Sequence, residues 1–161
     1  MPEVGSELNE HWQAPPFNRT GAILEKKDDV VAKINEGCAI LHHVGHGDRD
    51  RMSVGTSSGT DGGGRFLVGD ARAMANGDKQ GILYSINCSS AAIDYDCLAE
   101  AMLFCSTGGV VAYIGSTNLD FPAAATAFQL STYTKLLLEP RESHLGEAFY
   151  AAITDQTAVW G

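Results

Sequence analysis

Two short apolar runs in this 161-residue chain each end at a residue type that can do chemistry. Gly81-Ile82-Leu83-Tyr84-Ser85-Ile86-Asn87 leads into Cys88, and Ala39-Ile40-Leu41-His42-His43-Val44-Gly45 leads into His46, with Gly47 behind it. A thiol of pKa about 8.5 is only a few per cent thiolate at neutral pH, and a nearby imidazolium or helix amino terminus lowers that value. His46 can supply the imidazolium and later protonate a leaving amine. Thiolate attack on a carbonyl places negative charge on oxygen, where each backbone N–H aimed at it is worth about 10²–10³ in rate. A glycine after the histidine lets a substrate approach its amide closely, so the Gly47 and Cys88 N–H groups are assigned, as a hypothesis, to an oxyanion hole.

The elements around these residues must bring them together. The first twenty residues, with Pro15-Pro16 and no sustained period, read as an arm or linker. Apolar spacing predicts a helix over 22–36, with Ile23, Val30, Val31 and Ile34 on one side, ended by Gly37. A strand over 38–44 follows, then a polar, glycine-rich loop from Gly45 to Arg65. That loop has no closing Gly-Lys-Ser/Thr, so its triple glycine is not a phosphate cradle. Asp70 is expected to cap a short helix over 71–75, and Asp96 to cap the helix carrying Leu98, Ala101, Met102 and Cys105. Val110-Val111-Ala112-Tyr113-Ile114 forms a third apolar run, and helices are expected over 123–138 and 145–153, the last capped by Ser143. Continuous apolar strands separated by helices indicate an α/β fold with a parallel sheet covered by helices on both faces. In such a sheet the carboxyl ends of all strands share one edge, where ligands bind. His46, Cys88 and the loop Gly115 to Phe121 are expected there.

Composition narrows the class. Eleven Lys+Arg against 20 Asp+Glu give a net charge of −9, with no basic cluster to neutralise phosphates, so nucleic acid is not the expected partner. No apolar stretch approaches the roughly 20 residues that span a bilayer. Cys38, Cys88, Cys97 and Cys105 have no paired CxxC spacing, which favours one reactive thiol and three packed ones over a zinc knuckle.

At four ordered segments the chain resembles the gingipain family, bacterial cysteine peptidases related to caspases and legumains, over roughly 35–125. These are Gly45-His46-Gly47, Asn87-Cys88, Cys97-Leu98-Ala99-Glu100-Ala101 and Ile114-Gly115-Ser116-Thr117-Asn118. The resemblance implies a caspase-like fold, Cys88 as nucleophile, His46 as general acid/base and Gly47 as oxyanion donor. It also places Ser116, Thr117 and Asn118 beside the specificity pocket, with Phe121 near the position of the family's aromatic wall. It further implies a polypeptide substrate, a secreted or cell-surface location, calcium as a structural ion and no required cofactor. Residues 21–161 are then part of a caspase-like peptidase domain, incomplete at both ends, whose remaining part is its own missing segment or a partner chain.

Plainer readings compete at each residue. A strand-end cysteine is usually a small buried hydrophobe. His42 and His43 read as satisfied core or cover histidines, and His11 and His144 as surface residues. His42, His46 and Cys88 lack a fourth ligand for structural zinc. Asp48, Asp50, Asp61, Asp94, Asp96 and Asp120 read as solvated charge, since no loop has the helix-flanked calcium spacing. Two alternatives to a peptidase are a catalytically idle domain serving assembly or binding in a larger secreted protein, and a metal-binding module.

Overall fold

The computed structural model describes residues 27–54, 64–138 and 144–160. The expected arm over 1–20, the helix start over 22–26, the glycine tract over 59–63 and the Ser143 cap lie outside them. The chain forms two compact units, one ending at Leu119 and the other beginning at Asp120.

In the first unit, helix α1 (Lys27–Glu36) carries Asp28 and Asp29 in its first turn and Lys33 in its last, charges that complement the helix dipole. Gly37 ends it at φ +88°, a left-handed conformation that suits glycine. The following elements are β1 (Ile40–Val44), β2 (Gly47–Asp48), β3 (Arg51–Ser53), β4 (Arg65–Leu67), α2 (Val68–Arg72), β5 (Gly81–Ile86), α3 (Leu98–Leu103) and β6 (Val110–Ile114). Strands β1, β5 and β6 form a parallel sheet in the order β1-β5-β6, flanked by helices as the apolar runs indicate. The register runs from Ile40↔Ile82 to Val44↔Ile86, and Leu83 and Tyr84 face Tyr113 and Ile114 of β6. One core gathers Ile34 of α1, Phe66 of β4, Met74, Leu83 of β5, Leu98 and Met102 of α3, and Val110 of β6.

The structure corrects several boundaries. The segment 45–65 is not simply a polar loop, because β2, β3 and β4 pair antiparallel within and just after it. Met52 and Phe66 face each other across β3 and β4 and are 3 % and 0 % exposed, so burial of a few apolar residues overrides the polar surroundings. Asp70 does not hold the N-cap of α2. Leu67 does, and Asp70 reaches back from the third helical position so that its Oδ2 accepts the Leu67 N–H at 2.9 Å. Cys97 likewise replaces Asp96 as N-cap of α3, with Glu100 accepting the Cys97 N–H at 3.4 Å, while Asp96 pairs with Arg72 at 2.7 Å.

The second unit contains α4 (Pro122–Leu137) and α5 (Leu145–Trp160). Pro122 sits at the start of α4, where its missing N–H costs no helical bond. Phe128 and Phe149 meet edge to face with centroids 5.0 Å apart, and Lys135 pairs with Asp155 at 2.9 Å. Ala148 and Ala152 are buried as expected, but α5 continues past Ile153 because no glycine or proline interrupts the chain before Trp160.

A buried asparagine ties the turns that enter β5 and β6. Asn76 Oδ1 accepts the Gly109 N–H at 2.7 Å, and its Nδ2 donates to the Gly109 carbonyl at 2.9 Å and the Lys79 carbonyl at 3.2 Å. Replacing Asn76 with alanine strands these buried main-chain groups. Urea unfolding of Asn76→Ala is expected to show a loss on the order of 2 kcal/mol or more, against no more than about 0.5 kcal/mol for an exposed control such as Asp78→Ala.

Candidate active site

Parallel pairing of β1 with β5 decides where the chemistry-bearing residues fall. His46 and Cys88 are each the second residue beyond the Val44–Ile86 pair, and the Gly45 N–H donates to the Ile86 carbonyl at 3.1 Å, carrying the pairing one step further. Adjacent strands lie about 4.8 Å apart, so the two chain ends leave the sheet side by side. His46 is exposed and Cys88 partly buried.

Serine 53 holds the histidine's main chain from both sides. Its Oγ accepts the His46 N–H at 2.9 Å and its N–H donates to the His46 carbonyl at 2.8 Å. The second bond makes Gly47–Met52 a non-hydrogen-bonded pair of the antiparallel ladder, so the Gly47 N–H is directed away from β3, outward from the edge strand β2. Gly47 also meets the residue before Cys88. A Cβ at position 47 would fall 2.5 Å from Asn87 Nδ2 and 2.7 Å from its Cγ, and Asn87 is buried, so only glycine fits without a shift.

The chain reverses directly after the nucleophile candidate. Ser89 adopts φ 57°, a left-handed conformation uncommon for a residue with a Cβ, whose cost of about 1–3 kcal/mol concentrates at functional sites. The turned segment is stitched to the loop after β6: the Ser89 N–H donates to the Asn118 carbonyl at 2.8 Å and the Ala91 N–H to the Ser116 carbonyl at 3.0 Å. Ser116 Oγ donates to the Asn118 carbonyl at 2.7 Å, and Thr117 is exposed between them. Ser116, Thr117 and Asn118 therefore share the sheet edge with Cys88. Phe121 precedes α4 in the second unit and is 72 % exposed.

On the outer side, the Arg49 guanidinium stacks 4.1 Å from the centre of the Tyr95 ring, and the Leu98 N–H donates to the Arg49 carbonyl at 2.7 Å. These contacts join the loop after His46 to the segment after Cys88. Among the described residues no group of three or more His, Cys, Asp or Glu side chains able to hold a metal ion is found, and Asp61 lies outside those residues.

Sequence reasoning missed the polar groups beneath the edge. His43 Nε2 lies 2.8 Å from the Ser53 carbonyl and must donate to it, which leaves Nδ1 to accept from Ser85 Oγ at 2.8 Å. Tyr113 Oη donates to Ser90 Oγ at 2.9 Å, and Ser90 Oγ to Asn87 Oδ1 at 2.5 Å. The signal was present, since Ser85 and Asn87 are polar residues two apart in an otherwise apolar run and therefore lie on one face. Burial pushes the Tyr113 phenol up to about 12, against its bonds to Ser90 and Ser85, so it remains a donor. Burial pushes the His43 imidazole below its ordinary value, opposed by the bond to Ser53 and reinforced by His42.

A model of peptidase family C25 matches residues 7–159. The chain belongs to that family. Its fold is similar to that of the Arg specific cysteine proteinase gingipain R (RgpB), with TM-score 0.63 and 17% identity over 82% of this chain and 31% of that one. The complex of Porphyromonas gingivalis RgpB pro- and mature domains matches with TM-score 0.58 and 19% identity over 70% of this chain and 26% of that one. The chain thus spans about a third or less of the length of these structures. Among curated proteins none matches. No helix among the described residues is long and apolar enough to cross a membrane.

The His43 geometry has a consequence for stability in this C25 chain. Because its folded-state pKa lies below the unfolded 6.5, the unfolded chain takes up the proton first as pH falls. The contribution is fully present above about pH 6.5 and lost below it. Thermal melts from pH 8 to pH 5 are expected to show a falling midpoint in the native chain and a flatter profile in His43→Gln.

Proposed function

We propose that the chain carries the nucleophile and general acid/base of a cysteine peptidase acting on polypeptide substrates. Membership of family C25 supports the reaction class. The observation that carries the residue assignment is the equivalent register of His46 and Cys88 beyond the Val44–Ile86 pair.

In this reading the Cys88 thiolate attacks the scissile carbonyl carbon, a C–S bond forms, and the carbonyl electron pair moves to oxygen. The Gly47 N–H, directed outward from β2, and the Cys88 N–H face that oxygen. Collapse of the intermediate breaks the C–N bond, and the amine leaves with a proton from His46. Water then gives a proton to His46 and attacks the thioester, which releases the acid and restores the thiolate. Ser116, Thr117 and Asn118, tied to the turn after Cys88, line the substrate side. No redox cofactor enters this scheme, and calcium would be a structural ion only. Further segments of the same domain, or a partner chain, complete the substrate cleft, and the setting is secreted or at the cell surface.

Selective alkylation tests the assignment. Iodoacetamide at neutral pH is expected to label Cys88 ahead of the other three thiols. Burial raises the Cys38 thiol, Cys97 is fully buried, and Cys105 Sγ lies 3.5 Å from the Arg72 and Met74 carbonyls. His46→Ala should slow labelling of Cys88 about tenfold or more, and Cys88→Ala should remove ester and peptide hydrolysis, a loss of at least about 10³-fold. Equal labelling of Cys88 and Cys105, unchanged in His46→Ala, would sink the dyad.

A further inference from the structure

We propose that Asn87 is a positioning residue for acyl transfer: its amide, oriented by Ser90 and Tyr113, sets the Gly47 corner against the end of β5, so that the Gly47 and Cys88 main chains face one carbonyl oxygen. The proposal rests on the peptidase reading and deepens it. Asn87 joins two halves of the site that are 40 residues apart in sequence, since it directly precedes Cys88 and lies against Gly47.

Proton directions fix how the amide lies. Tyr113 has one hydroxyl proton and gives it to Ser90 Oγ; the Ser90 proton goes to Asn87 Oδ1. The amide NH2 is left turned towards Gly47, with Nδ2 nearest to where a Cβ would stand. Asn87 is 2 % exposed, and among the described residues its Nδ2 has no hydrogen-bond partner. A buried group closed to solvent is also closed to substrate, so Asn87 acts through its packing against the Gly47 corner and not on the reacting oxygen. Catalytic hydrogen bonds are often long in the free enzyme and tighten when substrate is bound. A small inward movement of the Gly47 corner, as its N–H takes up the developing oxyanion, is the movement that the Asn87 amide limits.

Two reactions of the same thiol separate positioning from structure. Alkylation by iodoacetamide displaces iodide at a saturated carbon and forms no oxyanion. Acylation by a p-nitrophenyl ester of an N-acyl amino acid passes through one: the thiolate attacks the carbonyl, p-nitrophenolate leaves, and a thioester remains on Cys88. In Asn87→Ala and Asn87→Asp, alkylation of Cys88 is expected to stay within about twofold of the native rate while the p-nitrophenolate burst slows about 10–100-fold. Should either variant fail to fold, Tyr113→Phe removes only the hydroxyl that orients Ser90 and is expected to slow the burst about fivefold with alkylation unchanged. A native burst rate in the variants, or an equal fall in both reactions, overturns the proposal and leaves the dyad standing. A native chain that gives no burst and labels Cys88 no faster than Cys105 overturns the peptidase reading, and this inference with it.

Discussion

The parallel pairing of β1 with β5 is the constraint on which the rest depends. A parallel ladder sends both strands out at the same edge, and the Val44–Ile86 register sets His46 and Cys88 at equal distances beyond it. A slip of one residue would turn Leu41 and His43 to the opposite face and separate Gly47 from Asn87. Parallel neighbours need a long crossover, and closing it costs conformational entropy that the pairing alone does not repay. The crossover repays it with burial. Met52, Phe66, Ala71 and Met74 all come from this connecting chain and enter the same core as Leu83 and Val110. The elements that close the loop are therefore the elements that hold the register.

That core is apolar until it reaches the edge that carries His46 and Cys88, where β5 changes character. Ser85 and Asn87 are 2 % exposed, and so each polar atom needs a partner. Ser85 finds it in His43, and the Asn87 carbonyl oxygen in Ser90 with Tyr113 behind it, while Asn87 Nδ2 has no hydrogen-bond partner among the described residues. In a poorly solvated interior such bonds are strong and directional, and a mispaired arrangement is costly. They exchange some of the core's tolerance to repacking for a defined orientation of the two strand ends. The neutral state of His43 belongs to the same arrangement, because its Nε2 must donate to the Ser53 carbonyl while Nδ1 accepts from Ser85.

Much of this was legible in the sequence because the governing patterns are local. The three apolar runs announce a parallel sheet, and Gly37, the leucine and alanine spacing after Cys97 and the stripe from Leu145 place helices within a few residues. The antiparallel strands β2 to β4 were not legible, since each is two or three residues long and only Met52, Phe66 and Leu67 in them are apolar. Asp70 and Asp96 misled because an acidic residue near a helix start satisfies the first N–H groups from outside, as a cap, or from inside, as Asp70 does. The candidate dyad was visible as two residue types at two strand ends. The serines, Asn87 and Tyr113 beneath it were not, because partners 10, 23 and 42 residues apart meet only through the sheet register.

The edge that results is rigid in its main chain and free in one side chain. Asn87 lies against Gly47, Ser53 bonds both His46 peptide groups, and the Arg49 carbonyl accepts the Leu98 N–H at the start of α3. A hole for a developing oxyanion works only if its donors are already in place, since reorganising them during the reaction would cancel the gain. A general acid/base has the opposite requirement: it serves a leaving amine first and a water afterwards, at different positions. In the proposed reading an exposed imidazole on a backbone held by Ser53 satisfies both demands, and the turn at Ser89 lets the strand that leads to Cys88 end abruptly. In this reading the division of labour follows from which atoms are tied down: the His46 peptide groups are held by Ser53, while the His46 side chain is exposed.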